Sequence, residues 1–87
     1  MAIETKSSED YLDYEIRVKV FGPVKTNPRD DRCQMAHYLG AVAVFQGDAE
    51  IPGTLDHLQG QYADMYLAEN AALARGRELV NRIVALP

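Results

Sequence analysis

The chain has 87 residues, 13 acidic and 9 basic, and a formal charge of −4, so it has room for one small domain with a single modest core. One cysteine, Cys33, excludes an internal disulfide, and no apolar run reaches the length that spans a bilayer. Residues 1–15 hold five acids against Lys6, while residues 16–87 hold eight acids and eight bases, so neither part reads as a footprint for nucleic acid or an anionic membrane.

Residues 1–12 are rich in Ser, Glu and Lys and read as a flexible acidic arm, with residues 13–87 as the folded α+β domain. The polar, acidic start lacks the apolar core of a signal peptide, and the expected location is cytoplasmic. From Asp13 onward, Tyr14, Ile16, Val18 and Val20 alternate with Glu15, Arg17, Lys19 and Phe21, the period of a strand with one buried and one largely polar face. Gly22-Pro23 is read as its end. Residues 23–35 are polar, carry Arg29, Asp30, Asp31, Arg32 and Cys33, and read as a solvated, self-neutralising connection.

Residues 37–45 (HYLGAVAVF) are almost continuously apolar, as in a strand covered on both faces. Gly47-Asp48 and Pro52-Gly53 mark turns, and Pro-Gly suits the centre of a type II turn. Residues 54–62 are read as a third strand folded back on 37–45, which places position 43 near position 57; the competing reading extends the closing helix backwards through Gly60. Asp64 then caps a helix to residue 86. Its inner face is Met65, Ala68, Ala72, Gly76, Leu79, Ile83 and Leu86, and Asn70, Arg77, Glu78, Asn81 and Arg82 lie opposite. Gly76 inside that stripe predicts close approach of helix to sheet. Glu78 and Arg82, four apart, are expected to pair.

The sum is an α+β fold, a three-stranded antiparallel sheet in the order β–β–β–α with one long C-terminal helix packed on one face. The middle strand is apolar on both faces and a single helix covers one, so the second sheet face is expected to meet another copy or another protein, with the N-terminal arm of residues 1–12 as the intramolecular alternative.

The chain holds no phosphate-binding glycine loop, nucleophile elbow, zinc-ligand cluster or calcium loop. Cys33 and His37 with Asp56 and His57 are too few and too scattered to read as a metal site. Cys33 and His37 as nucleophile and base lack an orienting third group, and both histidines are read as exposed strand or rim residues. Glu69, near the helix start, reads as a rim carboxylate rather than a catalytic acid. Arg75, Arg77 and Arg82 form a short basic stripe with Glu78 among them. No catalytic, cofactor-binding or metal-binding residue is assigned.

The run at 60–80, through Gly60, Gln61, Tyr62, Asp64, Gly76, Arg77, Leu79 and Val80, resembles a group of small stand-alone proteobacterial proteins of unknown function with three strands and one helix. That resemblance implies the fold and no activity. The order of elements is also similar to that of double-stranded-RNA-binding domains, but the leading helix is missing, and Asp64 and Glu69 stand where a lysine cluster would be expected. The expected function is a non-enzymatic, cytoplasmic protein-interaction module that forms a homodimer, without cofactor, membrane or nucleic acid. The alternative is a small nucleic-acid- or nucleotide-binding regulator, and an enzyme using the Cys33 loop ranks below both.

Overall fold

The computed structural model describes residues 3–25 and 36–85. Its elements are β1 (Ile3–Tyr11), β2 (Tyr14–Lys25), β3 (Ala36–Gln46), β4 (Ala49–Glu50), β5 (Asp56–His57) and α1 (Met65–Ala85). The sheet is antiparallel in the order β1-β2-β3-β4, with β5 also pairing β3. It is the expected α+β arrangement with more than the three expected strands. Among the described residues no helix is long and apolar enough to cross a membrane.

The N-terminal stretch, expected as a flexible arm, is a nine-residue edge strand. Alternate residues of β1 are half-buried although every residue between Ile3 and Tyr11 is polar, so its burial has a period that its hydrophobicity lacks. A two-residue turn joins it to β2, with positive φ at Leu12 (51°) and Asp13 (69°), as in type I′ hairpin turns. Three hydrogen bonds in two anchors tie the strand to the helix: Arg77 donates from Nε and Nη2 to the Glu9 carboxylate, each at 2.7 Å, and the Tyr11 hydroxyl donates to Asn81 at 3.1 Å.

Gly22-Pro23 does not end β2. The strand runs on to Lys25 through a register irregularity between Phe21 and Val24, the kind of place where a sheet accepts a residue with no N–H. Residues 26–35, with Asp30, Asp31 and Cys33, lie outside the described residues.

The third strand is only partly present. Asp56 and His57 pair with Val42 and Ala41, so position 57 faces 41 rather than the expected 43. The shift arises because the chain first makes a tight hairpin, β3 to β4 through Gly47-Asp48, and then turns again at Pro52-Gly53. Thr54 N–H donates to the Ile51 carbonyl at 3.3 Å and Gly53 has φ 83°, the type II geometry anticipated for Pro-Gly. Further on, Tyr62 pairs with Tyr38, two residues out of step with β5, so the chain loops out around Gly60.

Asp64 caps α1, its Oδ1 accepting from Leu67 N–H at 2.9 Å. The helix lies on β2 and β3 and buries Ala68, Ala72, Gly76 and Val80 against Ile16, Val18, Val20, Val42 and Val44. Small residues set the crossing. A Cβ on Gly76 would overlap the Ile16 Cγ2 methyl and come within 3.1 Å of Val42 Cγ2, and one on Gly40 would meet the Ala68 carbonyl at 3.3 Å. Burying this apolar surface is the main favourable term, at about 25 cal/mol per Å².

Candidate functional site

The register of the sheet defines what its second face presents. Since Glu9 and Tyr11 bond the helix, the even residues of β1 lie on the other side, with the odd residues of β2 and β3. Four rows cross the strands there. The first is Asp10, Glu15, Phe45 and Glu50; the second Ser8, Arg17 and Ala43; the third Lys6, Lys19, Ala41 and His57; the fourth Glu4, Phe21 and Leu39. Among the described residues no element covers these rows.

The middle strand supplies an apolar column, Leu39, Ala41, Ala43 and Phe45, as its unbroken apolar run requires. Charged side chains of β1 and β2 flank it on one side, and Glu50, Leu55 and His57 flank it on the other. Ala41, Ala43 and Phe45 of the column, with these flanks, line an open groove of about 660 Å³. Phe21, Leu39 and Leu55 are 45%, 36% and 58% exposed, large apolar side chains facing solvent around one surface. Arg17 bonds Glu15 through Nε and places its guanidinium 3.9 Å from the centre of the Phe45 ring, so a cation shields part of the aromatic surface.

The helix arginines are engaged elsewhere. Arg75 donates from Nε to Asp56 at 2.7 Å and from Nη1 to Glu78 at 2.9 Å, so Glu78 pairs with Arg75 rather than with Arg82 as expected. These bonds raise the Arg75 pKa further above its ordinary value. Arg77 is held by Glu9, raising its own pKa, and the same hydrogen bond holds the Glu9 carboxyl below the usual carboxylate range. Two of the three cations in the predicted basic stripe therefore serve as clasps between elements.

His37 is 9% exposed, a correction to its reading as a rim residue, and His57 is exposed as expected. The two lie well apart along β3, because His57 faces Ala41. Cys33 lies outside the described residues, and among those described no group of three or more His, Cys, Asp or Glu is arranged to hold a metal ion. The open face itself was legible as the far side of an apolar strand. Its rows were not, because they depend on β1, which sequence periodicity does not reveal.

The fold and this face define a one-helix α+β domain with an uncovered sheet surface. Compared with protein-family models, curated proteins and solved structures, the chain matches none.

Proposed function

We propose that this chain is a non-enzymatic, cytoplasmic protein-interaction module that self-associates through the sheet face opposite α1. The observation that carries the reading is the apolar column Leu39–Ala41–Ala43–Phe45, whose Leu39 end is exposed together with the neighbouring Phe21 on a face that no other element covers among the described residues. A groove of this shape excludes water when a second flat surface is laid on it, and the same burial that holds the helix drives the contact. Sedimentation equilibrium over a wide concentration range tests it. A concentration-dependent dimer is expected, weakened by Phe21→Ser and by Leu39→Ser. A mass that stays monomeric throughout overturns self-association. A dimer indifferent to both variants overturns the use of this face.

One observation favours a second reading, a nucleic-acid- or nucleotide-binding regulator. Lys6, Arg17 and Lys19 share the open face with Phe45, and Arg17 lies against its ring, a combination of cations and aromatic surface that suits single strands. Asp10, Glu15 and Glu50 on that face weigh against it. Salt-dependent binding of a mixed-sequence single-stranded oligonucleotide at low ionic strength would favour this reading, and no binding there removes it.

A further inference from the structure

The charges of the open face are arranged badly for a single chain. Lys6 stands directly opposite Lys19, and Asp10 directly opposite Glu15. Like charges directly opposite on antiparallel strands repel and destabilise the sheet. Both pairs lie on the uncovered face, in different rows. One row is acidic, with Asp10, Glu15 and Glu50, and the row four residues along each long strand holds Lys6, Lys19 and His57. By strand rise the rows are about 13 Å apart, with Ser8, Arg17 and Ala43 midway.

We infer that the occupant of this face is a second copy of the chain, packed sheet on sheet about a two-fold axis that runs across the strands through the Ser8–Arg17–Ala43 row, so that each acidic row meets the partner's basic row. The inference rests on the self-association reading above and specifies its geometry. An axis along the strands would lay each row on its own copy, acid on acid and base on base. The axis across the strands reverses the row order and keeps each strand opposite its counterpart. Asp10 then faces the second copy's Lys6, Glu15 faces its Lys19, and Glu50 faces its His57, each contact made twice by symmetry.

The arrangement also places the remaining apolar side chains. The Phe21–Leu39 row lies two rows from the axis on one side, and exposed Leu12, at the hairpin turn, lies as far on the other. The rotation brings Leu12 opposite Glu4 of the second copy, one strand away from its Phe21. Arg17 falls near the axis, where it would meet its own counterpart, but its bond to Glu15 and its seat on Phe45 draw the guanidinium toward the acidic row. Three strands of about nine residues present a face about 30 Å by about 15 Å, at the small end for a specific interface, so the dimer is a dissociable one.

Reversal of single charges on β1 tests this. Lys6→Glu and Asp10→Lys each replace an attractive contact by a repulsive one, twice per dimer, and each is expected to weaken self-association about tenfold or more at low salt. Each also removes a like-charge pair within the chain, so the melting temperature of dilute protein is expected to hold or rise. An equimolar mixture of the two variants is expected to form a heterodimer, because the reversed charges then face one another. The double variant Lys6→Glu/Asp10→Lys is expected to recover the homodimer. If either single variant associates as tightly as the unaltered chain, or if the mixture and the double variant stay monomeric, this packing is overturned while self-association stands. If the unaltered chain is itself monomeric at every concentration, both fall. Circular dichroism checks folding. Should a reversal unfold the chain, Lys6→Gln and Asp10→Asn take its place, with a smaller weakening supporting the packing and no weakening overturning it.

Discussion

Thr54 shows how one hydroxyl can stand in for a missing stretch of strand. Its Oγ1 accepts from Val44 N–H at 3.1 Å and donates to the Ile51 carbonyl at 2.7 Å, with the Val44 carbonyl also in reach at 3.3 Å. It does so between the last pair of β4 and the first of β5, where β3 would otherwise lose its neighbour, and Thr54 is accordingly 4% exposed. Thr54→Val keeps the volume and strands the Val44 amide, so a loss of about 1–3 kcal/mol is expected by urea denaturation, with Thr54→Ser retaining most of the stability. No sequence pattern marks this role, since a threonine after Pro-Gly reads as an ordinary turn residue. Gly76 is the opposite case. Its place in an otherwise apolar helical stripe is visible in the sequence, and its reason, the Ile16 methyl beneath it, is the close approach that place implied. Gly76→Ala gains about 1 kcal/mol of helix propensity but forces Ile16 aside, which costs about 1–3 kcal/mol, so a lower denaturation midpoint is expected.

The elements differ in how far they announce themselves. The closing helix and the first apolar strand follow from period alone, because Ala68, Ala72, Gly76 and Val80 face Ile16, Val18 and Val20. β1 does not, because its helix-side residues Thr5, Ser7 and Glu9 are polar and the strand is held by ladder bonds and two anchors instead. Those anchors join residues 68 and 70 positions apart, beyond any local reading. The Glu9 anchor has a pH signature. Its carboxyl is held below the ordinary range by the Arg77 hydrogen bond, so its contribution is present above the unfolded-state value and lost as pH falls through the folded-state value. The melting temperature of the unaltered chain should therefore exceed that of Glu9→Gln near neutrality, with the gap closing below about pH 4. A gap that stays constant across that range would assign Glu9 a role unrelated to its charge.

For the molecule as a whole, the decisive asymmetry is that one helix serves a sheet whose middle strand is apolar on both faces. The sequence shows the mismatch, since residues 37–45 have no polar side. It does not show what the second face looks like, because the rows need the β1–β2 register and that register follows from a turn whose residues, Leu12 and Asp13, are not the Asn-Gly or Asp-Gly usual for it. The helix is accordingly the main cover for Ile16, Val18, Val20, Val42 and Val44, with Tyr11, Ile51, Leu58 and Tyr62 packed at the margins. A chain ending at residue 63 is expected to lose its far-ultraviolet sheet signal or to precipitate on purification. A soluble, folded product would show that the sheet is stable alone.

That order of elements also matters while the chain is being made. The last strand of the sheet ends at His57, and Val80, which closes the core, is added 23 residues later (80 − 57). At about 5–20 residues per second, the paired strands wait about 1–5 s for their cover. Until then the helix side of the sheet, with Ile16, Val18, Val20, Val42 and Val44, lacks the residue that completes its cover.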